Sequence, residues 1–269
     1  MTPRLIAAAA LALGAQAVHA ADAASPPPAP IRVILVGDST MASNSGYGDA
    51  LCARFTPQVR CINLARGGRS SKSFREEGRW DEVQALLRDG AGLRATYVLV
   101  QFGHNDQPGK VPRSTDLVTE FPANMARYAA ETRALGGVPV LVTPLTRRSF
   151  KGDYLKDDLA PWAAATRAVA LRERAALLDL NKDSASAVQA MGQQEADTLA
   201  MAPPPAALPV PAPAPAAANK VEVAGAAKSA FDRTHLGAKG ADYFARMVER
   251  EMVQALPDTR AYFQDGGRP

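Results

Sequence analysis

The stretch IRVILVGDST, Ile31 to Thr40, is apolar through Val36 except for Arg32 and then stops on Gly-Asp-Ser-Thr. A nearly continuous run of Val, Ile and Leu ended by a glycine turn reads as a strand buried on both faces. Similar runs recur at VRCINLA (59–65), TYVLVQF (96–102), VPVLVTP (138–144) and ALLDL (176–180). Between them, helical spacing covers about 47–55, 80–89, 119–135 and 158–175, and a further helix is expected over 238–254. Strands and helices alternating with short connections predict an α/β fold: one mostly parallel five-stranded sheet covered on both sides. Such a sheet gathers functional residues at the carboxyl ends of its strands. Four of the exits carry polar clusters, GDST, RGGRSS, GHND and TPLTRRSF.

The ends of the chain and one internal stretch bound the rest. MTPRLIAAAALALGAQAVHA, residues 1–20, has one basic residue, a short apolar run from Leu5 to about Leu13 and a small-residue end. It reads as a signal peptide cleaved near Ala20, so a periplasmic or secreted protein without a membrane anchor is expected. A Pro/Ala-rich segment (21–30) then leads into one domain over 31–258, followed by a tail at 259–269. Within the domain, about 200–229 is a Pro/Ala-rich insertion, where PPPAALPVPAPAP excludes helix and sheet. It is either a segment without a role or a flap beside the site. A formal net charge of +4, spread along the chain, gives no reason to expect a nucleic-acid partner. A monomer is expected. Cys52 and Cys61 are either a disulfide, as an oxidising compartment permits, or two small buried side chains.

Histidine is the scarcest chemical resource. Of three in the chain, His19 leaves with the signal peptide, so His104 and His235 remain. A dinuclear metal hydrolase is poorly supplied by that count, and no metal or cofactor is expected. His235 follows Asp232 by three residues in DRTH, a spacing that sets a carboxylate against one ring nitrogen and leaves the other facing outward. The alternative is a capping Asp and a surface His. Ser39, at the exit of the first strand, supplies a nucleophile or else a helix N-cap. Asp38 is a second candidate for the carboxylate, less suited because it adjoins Ser39. Gly68 in RGGRSS and Asn105 in GHND can donate N–H groups to an oxyanion, or be a turn and a capping residue.

Together the four blocks GDST, GGRSS, GHND and DRTH resemble the SGNH hydrolases, also called GDSL-like esterases, in order and spacing over about 31–185 and 230–254. Within that superfamily GRSSKSF, EEGRW, FGHND and TPLTRRSF are most similar to the rhamnogalacturonan acetylesterase group. The resemblance implies a flavodoxin-like three-layer α/β/α sandwich and metal-free ester hydrolysis. It implies Ser39 as nucleophile, His235 as base and Asp232 as its orienter, with Ser39 N–H, Gly68 N–H and Asn105 Nδ2 as oxyanion donors. The substrate expected is an acetylated polysaccharide or oligosaccharide, most of all rhamnogalacturonan or pectin. The alternatives are an esterase, lipase or thioesterase on other acyl groups, and a carbohydrate-binding protein without turnover.

For substrate contacts, Arg69, Arg79, Arg147 and Arg148 lie in or near strand exits, where a guanidinium can clamp a uronate carboxylate. Trp80 is a candidate for stacking on a sugar face, and core packing is its rival. His104 is expected to be structural, with substrate contact as the alternative. Gly46-Tyr47-Gly48, where the group often has Gly-Trp-Gly, is expected to alter the wall facing the sugar.

Overall fold

A computed structural model describes residues 28–204, 231–264 and 266. The proposed signal peptide and nearly all of the Pro/Ala-rich insertion lie outside the described residues. The strands are β1 (Ile31–Gly37), β2 (Val59–Asn63), β3 (Ala95–Gln101), β4 (Val138–Val142), β5 (Phe150–Lys151), β6 (Tyr154–Leu155) and β7 (Ala176–Leu178). The helices are α1 (Gly48–Cys52), α2 (Ser73–Glu76), α3 (Arg79–Arg88), α4 (Glu120–Ala134), α5 (Ala160–Glu173), α6 (Leu180–Asp197) and α7 (Ala238–Ala255). Five strands pair in parallel in the order β2-β1-β3-β4-β7, and β5 and β6 form a small antiparallel hairpin.

Strand period explains the two cores. Val33 and Leu35 of β1, Leu99 of β3 and Val140 and Val142 of β4 point to one face, where they meet Val188 of α6 and Phe244, Val248 and Met252 of α7. Ile34 and Val36, Val98 and Val100, and Leu141 point to the other, against Val83 of α3, Phe121 and Met125 of α4, and Trp162 and Val169 of α5. Successive residues go to opposite layers because a strand alternates its side chains. All seven residues of β1 are buried, which is why its sequence cannot alternate in polarity. Phe244, Val248 and Met252 recur at i, i+4 and i+8, so a single face of α7 is apolar.

The expected five parallel strands and five helices are present, with ends shifted by a few residues. The four-residue helix α2, helix α6 and the β5–β6 hairpin are additional to those expected. α6 is sparse in apolar residues and broken at Gly192, whose φ of 72° and ψ of 169° are non-helical. The β5–β6 hairpin consists of two-residue strands, too short to carry a period. Cys52 and Cys61 are disulfide-bonded, tying the end of α1 to β2.

Tyr47 corrects an expectation. It is fully buried, and its hydroxyl donates to Gln101 Oε1 at 2.8 Å, so it faces the core rather than a sugar. The glycines beside it allow the chain to lie against the loop after β1. A Cβ on Gly46 would fall 2.2 Å from the Thr40 carbonyl carbon, and one on Gly48 2.2 Å from Met41 O.

Candidate active site

Because β2, β1 and β3 are neighbours in the sheet, their carboxyl ends deliver Gly68, Ser39 and Asn105 side by side. Ser39 sits in a tight turn two residues beyond the last residue of β1, and no helix begins there, which removes the N-cap reading. Its Oγ lies 2.7 Å from His235 Nε2, and His235 Nδ1 lies 2.8 Å from Asp232 Oδ2. Asp232 Oδ1 accepts the backbone N–H groups of Thr234 at 2.7 Å and His235 at 2.6 Å. Asp232 thus does cap its own turn, as the simpler reading had it, and still keeps Oδ2 for the imidazole. Burial opposes its ionisation, but the ring and backbone donors of His235 and the N–H of Thr234 outweigh that and hold Asp232 well below the usual carboxylate range. An ionised Asp232 fixes the proton on Nδ1, leaving Nε2 as an acceptor for the Ser39 proton.

The three expected oxyanion donors lie on the loops that follow β1, β2 and β3. Among the described residues, neither Ser39 N–H nor Gly68 N–H donates to any backbone or side-chain acceptor. Asn105 Nδ2 spends one hydrogen on Arg69 O at 3.0 Å and has a second to give. Gly68 adopts φ 80°, a left-handed conformation that a side chain would strain. Arg113, which sequence reasoning missed, is buried and donates through Nη1 to Gly68 O at 3.0 Å and Asn105 Oδ1 at 3.1 Å. One guanidinium therefore fixes both the Gly68 peptide and the orientation of the Asn105 amide. Nothing in KVPRSTD, a loop segment, signals that role.

Buried polar contacts hold the loops in place. Asp38 Oδ1 accepts Thr40 N–H and Oγ1–H, both at 2.8 Å, and its Oδ2 lies 3.3 Å from His104 Nδ1. Asp38 is thereby committed to the turn and to His104, and not to His235. Burial pushes the His104 imidazole below its ordinary pKa. Both side chains are buried, so His104 joins the GDST and GHND loops beneath the site, in line with its structural reading. Asp106 accepts from Ser71 Oγ at 2.6 Å and Thr115 Oγ1 at 3.1 Å, which links the GRSS and GHND loops.

The expected substrate arginines are engaged elsewhere. Arg69 pairs with Glu77 at 2.9 Å and donates to Gly67 O at 2.7 Å, and Arg79 pairs with the same Glu77 at 2.7 Å. Arg147 pairs with Asp158 at 2.6 Å. Arg148 is fully buried beneath the histidine loop, donating to His235 O at 2.7 Å, Asp232 O at 3.2 Å and Thr234 O at 3.4 Å. Burial pushes it down to about 10, so it stays protonated at neutral pH. It braces the loop that carries the imidazole. Trp80 is 2 % exposed, packs edge-on against Tyr128 and donates to Glu131 Oε2, so it belongs to the core and not to a sugar platform.

The profile of the GDSL-like Lipase/Acylhydrolase family matches residues 35–243. The probable rhamnogalacturonan acetylesterase YesY of Bacillus subtilis (strain 168) is 26 % identical over 242 residues, 87 % of this chain and 98 % of that protein. Rhamnogalacturonan acetylesterase RhgT of the same organism is 33 % identical over 178 residues, 63 % of this chain and 73 % of that one. The crystal structure of Bacillus subtilis protein YXIM superposes with a TM-score of 0.63 at 22 % identity, over 84 % of this chain. The present chain spans 57 % of that protein, and the likeness concerns the fold alone. With the family profile covering most of its length, this chain belongs to the GDSL-like lipase/acylhydrolase family and is a carboxylic ester hydrolase.

Proposed function

We propose that the protein is an exported serine esterase that removes acetyl groups from a plant cell-wall polysaccharide of the pectic type, rhamnogalacturonan above all. The observation that carries the chemistry is the unbroken relay from Ser39 Oγ through His235 to Asp232. The names of the two Bacillus subtilis relatives support the substrate class.

In this reading Ser39 Oγ attacks the acetyl carbonyl carbon while His235 Nε2 takes its proton. The oxyanion forms against Ser39 N–H, Gly68 N–H and Asn105 Nδ2, where loss of one donor typically costs about 10²–10³ in rate. The C–O bond to the sugar breaks as His235 returns the proton to the departing oxygen. Water, deprotonated by the same imidazole, then attacks the acetyl-serine; acetate leaves and Ser39 recovers its proton. Asp232 holds the tautomer and offsets the charge of the imidazolium throughout. Export is supported by the apolar run and small-residue end of residues 1–20 and by the Cys52–Cys61 bond, which persists in oxidising compartments.

The test is acetate release from acetylated rhamnogalacturonan, with acetylated xylan alongside, for the protein and its Ser39→Ala variant. Release from the pectic polymer that vanishes in the variant is expected. Cleavage of small acetyl esters alone would keep the chemistry and overturn the substrate. Polymer binding without any release would favour a carbohydrate-binding protein.

A further inference from the structure

A cleft of about 360 Å³ opens beside Ser39, between the loop after β1, the exit of β2 and the start of α3. Its continuity with the site rests on two contacts. Ser45, in its wall, donates to Ser39 O at 2.7 Å, and a Cβ on Gly67, also in its wall, would lie 3.7 Å from Ser39 Cβ. The size suits a small polar ligand such as a sugar ring. The side chains reaching it differ in how far they are spent. Asn63 gives its amide hydrogens to Met41 O and Asp49 Oδ1, and Arg79 is held by Glu77. Arg66, Asn44 and Glu82 make no side-chain hydrogen bond or ion pair among the described residues.

Arg66 therefore differs from Arg69, Arg79, Arg147 and Arg148, each of which has at least one guanidinium nitrogen bonded within the fold. It is exposed at the cleft and, among the described residues, keeps its planar donors, which can take a carboxylate with two parallel hydrogen bonds. We propose that this cleft is a sugar subsite in which Arg66 reads the carboxylate of a uronate. Glu82 and Asn44, both exposed at the rim, are placed to take the sugar hydroxyls, and the negative charge of Glu82 orients the uronate with its carboxylate toward Arg66. The inference rests on the polysaccharide-esterase reading and adds to it the residue that distinguishes an acidic polymer from a neutral one.

The experiment separates the two. Hydrolysis of p-nitrophenyl acetate is inhibited with trigalacturonate and with its neutral, carboxyl-reduced counterpart, in the unmodified protein and in Arg66→Gln and Arg66→Lys. Competitive inhibition by trigalacturonate should weaken about tenfold or more in Arg66→Gln and less in Arg66→Lys. Turnover of the small ester and inhibition by the neutral trimer should stay within about twofold in both variants. An inhibition constant for trigalacturonate unchanged in Arg66→Gln, or no competition by it in the unmodified protein, overturns the proposal. Acetate release from acetylated rhamnogalacturonan is measured in parallel. Its absence in the unmodified protein refutes the substrate reading whatever the inhibition constants, and equal release by Arg66→Gln refutes the role of Arg66 alone.

Discussion

Replacing Asp232 with Asn tests the relay with almost no change in shape. In the native loop Oδ1 accepts two backbone N–H groups, at 2.7 and 2.6 Å, and Oδ2 faces His235 Nδ1 at 2.8 Å. The two backbone donors demand an acceptor, so the Asn carbonyl takes the Oδ1 position and its NH₂ falls opposite Nδ1. Flipping the amide would set the NH₂ against both N–H groups, leaving two donors unpaired at about 1–3 kcal/mol each. The imidazole must then accept at Nδ1 and carry its proton on Nε2, aimed at Ser39 Oγ, which it can no longer deprotonate. A wrong tautomer in a Ser-His-Asp triad lowers kcat by about 10⁴, equivalent to roughly 5.5 kcal/mol in the barrier. Initial rates on p-nitrophenyl acetate measure the loss, and circular dichroism with thermal unfolding checks that the loop survives. A folded Asp232→Asn variant retaining more than about a tenth of native kcat would refute the argument.

Three further outcomes follow from the same structure. Arg113→Met frees the Gly68 peptide and the Asn105 amide, so kcat for a small acetyl ester should fall about 10²-fold with KM within about threefold, and Arg113→Lys should recover part of it; equal kcat in all three would sink the role. Replacing Cys52 and Cys61 with Ala opens a link between residues nine apart, which should cost about 2–3 kcal/mol, read as a lower urea midpoint at similar slope. Glu251 is buried in α7, and burial together with the charges of Asp183 and Asp179 pushes its carboxyl up to about 8. Folded, it is protonated at neutral pH, whereas unfolded it is ionised above its ordinary 4.5. The stability it contributes is fully present below that ordinary value and is lost as pH rises through 8. The melting temperature should therefore fall from pH 5 to 8.5, and Glu251→Gln should flatten the fall; parallel curves would show the group to be ordinary.

What could be read in the sequence, and what could not, divides along the range of the interactions. β1, β3 and β4 are legible because burial on both faces leaves a continuous apolar run. Ser39, Asp232 and His235 are legible because each sits in a short block whose backbone geometry is local: a turn two residues past a strand, and a carboxylate capping the very turn that carries its histidine. α6 escaped because Leu180, Val188 and Ala196 are too widely spaced to show a helical stripe. The arginines are a different case. Arg69, Arg79, Arg147 and Arg148 were singled out for lying in or near strand exits, but whether a guanidinium is available depends on what the fold brings to it. Glu77, Asp158 and three carbonyls of the histidine loop each hold part of those four. Arg113 reaches Gly68, 45 residues earlier in the chain, and so could not have been paired with it in advance. Arg66, in the same exit as Gly68, is not marked out in the sequence because its distinction is the lack of a side-chain partner among the described residues, a property that no local pattern encodes. A charge at the rim of a cleft is a substrate contact only after the fold's own acceptors have been accounted for, and by that accounting Arg66 carries the acidic-sugar reading with more donors to give than Arg69, Arg79, Arg147 or Arg148.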